Sequence, residues 1–310
     1  MSKSTKAPSN TAASVQHGQV VSRFGNQAEI EDENGNLFRC HIRRSLQDLV
    51  SGDNVLWLEE YSSNKKVKGV ITEIIQRHSV LKRPIRYEGL KPVAANLDRV
   101  FVVTAPEPPY SSRILDRYLV AIELAGIELV ILLNKSDRLA AYPELLPALK
   151  IYSDMGYQVV QVSAYDQQGF PELREALAQH TSVFVGQSGV GKSSLVNTLL
   201  PDVDTSVAEL SENSGLGTHT TTVSKLYRLP TGGKLIDSPG IREFTMGHID
   251  KADLAHGFRD FKPFLGHCKF RNCRHLSEPG CAIISAAKTK KIHPLRFESY
   301  QLLATEPDEG

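Results

Sequence analysis

The run Gly186-Gln187-Ser188-Gly189-Val190-Gly191-Lys192-Ser193 has the G-x-x-x-x-G-K-[ST] form of a phosphate-binding loop. Its glycines reach positive φ and let a phosphate approach backbone N–H groups closely. In this pattern Lys192 reaches the β- and γ-phosphates, the Ser193 hydroxyl holds Mg2+, and Ser194 follows in the helix that the loop opens. A nucleoside triphosphate is the expected ligand. Asn134-Lys135-Ser136-Asp137 narrows it to GTP. In an N-K-x-D element the aspartate accepts from guanine N1–H and N2–H2. The asparagine amide meets the ring edge, and the lysine stem covers the base or braces the phosphate loop. Adenine has no N2 amino group and would leave the carboxylate unpaired, a loss of several kcal/mol. Ser163-Ala164 is placed to offer a backbone N–H to guanine O6.

Asp237-Ser238-Pro239-Gly240 is a D-x-x-G element. It predicts Asp237 near Mg2+ and a Gly240 N–H that senses the γ-phosphate. Between the two phosphate elements lies Gly215-Leu216-Gly217-Thr218-His219-Thr220-Thr221-Thr222. Thr222 is the first choice for the Mg2+-binding switch threonine, with Thr221 the second. Ras-like GTPases place a water-orienting glutamine after the D-x-x-G glycine. Here Ile241 stands there and cannot orient water, so His219 in the mobile loop is the candidate catalytic group. Slow intrinsic hydrolysis that accelerates when a partner orders this loop is the expectation. The order N-K-x-D, phosphate loop, D-x-x-G is a circular permutation of the ordinary one. The γ-phosphate sensor therefore leads directly into the C-terminal region.

That region carries Cys268-x4-Cys273-x-His275-x5-Cys281. Three thiolates and an imidazole suit one tetrahedral Zn2+ per chain, in a closed structural site. Lys269, Arg271, Asn272 and Arg274 lie between the ligands and suit RNA phosphates. His267 is poorly spaced for a ligand.

These motifs need elements to hold them. Residues 1–16 read as a disordered basic arm, with almost nothing to bury over the first fourteen. Short strand signals at 18–21, 28–31, 37–42, 54–58 and 68–74 predict a small OB-type β-barrel over 17–83. Arg39, His41, Arg43, Arg44 and the 65–68 lysines would face RNA, and Cys40 would pack inside. Residues 81–92 read as a linker. From 84 to 247 the pattern is strand–helix alternation, an α/β sheet that presents each motif at a strand's carboxyl end. Residues 248–310 form a mainly helical metal-binding unit, with helices expected over 251–264, 283–291 and 294–303.

Net charge is only +1, so no global polyanion field is claimed. Residues 1–83 carry 12 Lys/Arg against 9 Asp/Glu, 84–247 carry 14 against 18, and 248–310 carry 10 against 8, so both ends are basic around an acidic middle. The polar first residues and the lack of a long apolar run predict a cytoplasmic protein with no membrane partner. In that reducing compartment clustered cysteines bind metal rather than form disulfides.

The permuted order, His-Thr-Thr-Thr, Asp-Ser-Pro-Gly-Ile and the Cys-x4-Cys-x-His-x5-Cys site resemble the RsgA (YjeQ/YloQ) family of small ribosomal subunit biogenesis GTPases, over nearly the whole chain. The resemblance implies an OB domain, a circularly permuted GTPase domain and a zinc domain. It implies binding to the 30S subunit and its 16S rRNA, stimulation of GTP hydrolysis by the subunit, and action in late maturation. A monomer that cycles between GTP and GDP is expected. The alternative reading is a GTP-regulated ribosome-binding regulator of translation or stress with little intrinsic hydrolysis.

Overall fold

The computed structural model describes residues 15–59, 67–85, 89–201, 224–237 and 249–306. Five strands come first: β1 (Val15–Phe24), β2 (Gln27–Glu31), β3 (Leu37–Ile42), β4 (Asn54–Glu59) and β5 (Gly69–Ile74). They close in the order β1-β2-β3-β5-β4-β1, with β3 and β5 parallel and the other pairs antiparallel. This is the Greek-key closure of an OB barrel, as the strand count predicted. Alternating residues fill it, with Val20, Ile30, Val55, Trp57 and Ile71 fully buried. Cys40 is among them, and burial pushes its thiol up to about 12, so it packs as a small apolar group. Of the arm expected over 1–16, Val15 and Gln16 instead belong to β1, paired with Leu58 and Trp57. The rest of the arm lies outside the described residues.

The expected linker is a hairpin. β6 (Val80–Ile85) and β7 (Gly89–Ala95) pair antiparallel, and the boundary expected at 83/84 falls inside β6. Pro84 and Pro92 suggested a break, but a two-stranded ribbon is all edge, where a missing N–H is tolerated. Asn96 then ties hairpin to barrel by donating to Gly52 O at 2.9 Å.

The central sheet runs β10-β9-β8-β11-β13-β12. Its strands are β8 (Arg99–Thr104), β9 (Glu128–Leu133), β10 (Gln158–Gln161), β11 (Thr181–Val185), β12 (Lys225–Leu229) and β13 (Gly233–Asp237), and only β12 is antiparallel to its neighbour. Parallel strands buried on both faces explain the near-continuous apolar runs at 100–103 and 129–133. Helices α1 (Ser112–Leu124) and α2 (Leu145–Asp154) cover one face through Leu115, Leu119, Ile122, Leu145 and Leu149. Helices α3 (Phe170–Leu177) and α4 (Lys192–Leu199) cover the other through Phe170, Leu173, Leu195 and Leu199. The chain builds β8, β9 and β10 outward in one direction and then returns to place β11 on the other side of β8. Strand order reverses there, which is where open α/β sheets hold ligands. Sheet and barrel are continuous: Ser22 of β1 pairs with Lys225 of β12, Ser51 Oγ donates to Ser224 O at 2.9 Å, and Arg228 bridges Glu31 at 2.6 Å.

The C-terminal unit has two 3-10 turns, Leu254–Gly257 and Arg259–Phe264, then α5 (Ala282–Lys288) and α6 (Pro294–Thr305). The single helix expected over 251–264 does not form. Pro263 removes an N–H donor inside it, and Gly257 packs where a Cβ would meet Val120 Cγ1 at 2.5 Å. Val120 of α1 belongs to the C-terminal core with Phe258, Phe261, Ile283 and Tyr300, so the unit is built onto the GTP-binding domain. A buried network reinforces the joint. Arg296 is 1% exposed between Asp116 of α1 and Asp260, with Nη2 3.0 Å from Asp260 Oδ1. Tyr152 donates to Asp116 at 2.8 Å, and the Arg296 guanidinium lies 4.5 Å from the Phe258 ring centroid. At its rim Glu123 takes Arg259 at 2.7 Å and Lys262 at 2.8 Å. No described helix is long and apolar enough to cross a membrane.

Candidate functional site

The phosphate loop leaves β11 at Gly186 and enters α4 at Lys192. Two of its glycines are required by close approach as well as by φ. Gly186 has φ +140°, and a Cβ there would lie 2.2 Å from Val103 O of β8. Gly191 has φ +93°, and a Cβ there would lie 2.3 Å from Asn134 Nδ2. Lys192 is buried and its ammonium donates to Gly186 O at 2.6 Å and Gln187 O at 2.8 Å. Those loop carbonyls hold the charge at the mouth of the loop. Ser193 and Ser194 occupy the first turn of α4, the first half-buried and the second exposed.

Asn134 leaves β9 and binds the phosphate loop directly: its Nδ2 donates to Val190 O at 2.9 Å, and its Oδ1 accepts from Ala164 N at 3.3 Å. One buried amide thus joins three motifs that are far apart in sequence. Lys135 sits in the left-handed region at φ 58° and donates to Gly189 O at 2.8 Å and Glu107 O at 2.7 Å. Its stem therefore spans from the 134–137 turn to the phosphate loop, the bracing predicted for this lysine. Ser136 N donates to Val162 O at 3.0 Å, and Asp137 Oδ1 accepts from Ser163 Oγ at 2.7 Å. The structure thus gathers Asn134, Lys135, Ser136, Asp137, Ser163, Ala164 and the 186–193 loop at one edge of the sheet. Asp237 ends β13, which lies parallel beside β11, so it emerges at that same edge. The expected switch residues His219, Thr221 and Thr222 and the sensor Gly240 with Ile241 lie outside the described residues.

The sequence reading missed Glu107. Its carbonyl takes Lys135, and its carboxylate takes Tyr142 at 2.7 Å and Arg138. The hydrogen bond from Tyr142, aided by the nearby Arg138 charge, holds that carboxyl below the usual range. The Pro108-Pro109 pair after β8 was the available signal, a rigid loop at a ligand edge.

The second candidate site is the cysteine cluster. Ligand atoms of Cys268, Cys273, His275 and Cys281 all lie within 4.8 Å of one another. The sulfurs of Cys268 and Cys281 are 3.8 Å apart, and His275 Nδ1 is 3.5 Å from Cys268 Sγ and 3.3 Å from Cys281 Sγ. A tetrahedral ion with thiolate bonds of about 2.3 Å has sulfur–sulfur edges of about 3.8 Å, so the set fits a small tetrahedral metal. Backbone N–H groups of Ala282 and Ile284 point at Cys268 and Cys281 sulfurs at 3.4 and 3.5 Å. His267 is not part of the cluster.

Comparison with known proteins agrees with this geometry. The profile of the RsgA GTPase family matches residues 74–247. The small ribosomal subunit biogenesis GTPase RsgA of Haemophilus influenzae strain 86-028NP is 50% identical over 290 residues, covering 93% of this chain and 84% of that protein. The protein of the same name from Actinobacillus succinogenes is 49% identical over 298 residues, covering 96% and 86%. The crystal structure of YjeQ from Thermotoga maritima superposes with a TM-score of 0.75 at 30% identity, over 94% of this chain and 98% of that one. YloQ, a circularly permuted GTPase, superposes with a TM-score of 0.74 at 26% identity, over 96% and 97%. The chain belongs to the RsgA family of GTPases.

Proposed function

We propose that this GTPase acts in late maturation of the 30S ribosomal subunit, and that the subunit accelerates its hydrolysis of GTP. The observation that carries the reading is the convergence of the Asn134–Asp137 turn on the phosphate loop through Asn134 and Lys135, in a chain about half identical to relatives named as small ribosomal subunit biogenesis GTPases. Asp137, placed by Ser163, reads guanine N1–H and N2–H2. The Ala164 N–H takes guanine O6. Backbone N–H groups of Gly186, Gln187, Ser188, Gly189, Val190 and Gly191 wrap the phosphates. Lys192 leaves its two loop carbonyls for the β- and γ-oxygens when GTP enters.

Ser193 and Thr222 would hold Mg2+, with Asp237 behind it, and that ion would neutralise charge on the transferred phosphoryl group. Gly240 senses the γ-phosphate, and His219 orients the attacking water when the subunit is bound. The metal held by Cys268, Cys273, His275 and Cys281 is Zn2+, which fits three soft thiolates and one imidazole in a closed set and supplies a structural clamp. The OB barrel and the zinc unit bind 16S rRNA. The protein works in the cytoplasm as a monomer.

Co-sedimentation tests the reading. The GTP-analogue form should pellet with purified 30S subunits, more than the GDP form does, and not with 70S ribosomes. Preference for 70S would favour a translational regulator instead. His219→Ala should leave GTP binding intact and abolish most of the subunit-stimulated turnover. Unchanged stimulated turnover in that variant would remove His219 from the mechanism.

A further inference from the structure

The residues between the first two metal ligands, Lys269-Phe270-Arg271-Asn272, are all exposed. Phe270 is 42% exposed. The other aromatic rings of this unit behave differently. Phe258, Phe261 and Tyr300 form its core, and Phe264 and Phe297 pack against that core. Phe270 is left outside, with the Lys269 ammonium 5.6 Å from its ring centroid.

Its backbone is held firmly. Cys268 and Cys273 bracket the loop as members of the metal cluster. Lys269 N donates to Gly280 O at 3.0 Å. Gly280 has φ +73°, and a Cβ there would come within 3.0 Å of Lys269 Cβ, so the lysine stem lies flat on this glycine. On the far side Tyr300 donates to Arg274 O at 2.6 Å, and Arg274 N donates to Glu278 at 2.8 Å.

We propose that Phe270 is a stacking platform for an unpaired base of RNA, presented at the tip of the metal-clamped knuckle. This rests on the reading that the chain binds the small ribosomal subunit, and it names the contact that the zinc unit makes there. Single-stranded RNA is recognised by aromatic rings that stack its bases and by cations that take its phosphates. The run supplies both within four residues, with Asn272 able to meet a base edge. A short side chain on a fixed backbone also loses little conformational freedom on binding. An apolar pocket on a protein partner is the weaker fit, because lysine is depleted from the cores of protein interfaces and here flanks the ring directly.

The test is affinity for purified 30S subunits across a salt series, with metal content per chain as the folding control. Phe270→Ala should weaken binding about five- to a hundredfold with an unchanged salt slope, since no phosphate contact is lost. Phe270→Trp should bind at least as tightly as the parent, and Phe270→Leu should bind as weakly as the alanine variant. Lys269→Ala with Arg271→Ala should instead lower the salt slope by about one to two. Parent-like affinity of the alanine or the leucine variant overturns the proposal, the leucine result pointing to a protein pocket. Failure of the parent chain itself to bind 30S subunits overturns the underlying functional reading, and this inference with it.

Discussion

Asp137→Asn should lose GTP and accept xanthosine triphosphate. Guanine presents two donors, N1–H and N2–H2, to this side chain. A carboxylate accepts both, whereas an amide turns one donor against another and leaves it buried without a partner. The expected loss of GTP affinity is on the order of a hundredfold or more. Xanthine carries a carbonyl in place of the N2 amino group, so the new amide N–H2 finds an acceptor there. Ser163 Oγ, 2.7 Å from Asp137 Oδ1, can still donate to the asparagine oxygen and hold it in place. Calorimetric titration with both nucleotides checks this. Equal loss for both would mean that residue 137 shapes the loop without reading the base.

Arg296→Met should destabilise the folded chain by about 3–5 kcal/mol, because it strips the cation from between two buried carboxylates. Asp116 is fully buried and Asp260 nearly so, and Arg296 is the guanidinium that both carboxylates share. Burial pushes the Asp116 carboxyl above its usual range, and Arg296 opposes that push. Without Arg296 the folded-state pKa rises further, so the folded chain keeps a proton that the unfolded chain has released. Stability then falls as pH rises through that window. Both chains lose stability as pH first rises past an ordinary aspartate, so the gap between variant and parent should widen only above the parent's own raised Asp116 pKa, up to the higher one of the variant. Denaturant melts at several pH values measure it. Asp116→Asn added to Arg296→Met should recover part of the loss, since it removes the stranded charge. A gap that does not vary with pH would assign the loss to packing instead.

The phosphate loop, the Asn134–Asp137 turn and the cysteine cluster could be read directly from the sequence, because each needs particular residue types at short spacing. A glycine must stand where a Cβ would strike Val103 O, and thiolates must stand where a small ion needs soft donors. The strand β3 was readable at its full bounds for a similar reason, since a short run of strand-forming residues between turn residues has few alternatives. The β6–β7 hairpin was missed because Pro84, Gly89 and Pro92 are turn signals everywhere except in an isolated ribbon. The helix expected over 251–264 had suitable spacing, but Pro263 and the packing of Gly257 on α1 favour tight turns.

Long-range joints left no local trace. Asp116, Asp260 and Arg296 are ordinary surface types in sequence, and only the folded chain brings them together in its interior. Glu107 acts mainly through its carbonyl and through partners some thirty residues away. The pairing of β1 with β12 is equally silent in sequence, yet it matters mechanically. It ties the OB barrel to the hairpin whose two ends lead to the expected switch threonines and to Asp237. The C-terminal unit grips α1 through Val120 and Arg296. Both proposed RNA-binding units are therefore anchored in the domain that holds the nucleotide site, which is the arrangement a subunit-triggered hydrolase requires.

Single-turnover hydrolysis of GTP, measured with and without saturating purified 30S subunits, tests that account most directly. Slow release of phosphate by the chain alone, a rate at least tenfold higher with 30S subunits, and no comparable effect of ATP are the expected results. An equal rate with and without the subunit would contradict it, and would leave a nucleotide-binding protein whose ribosomal partner does not act on its chemistry.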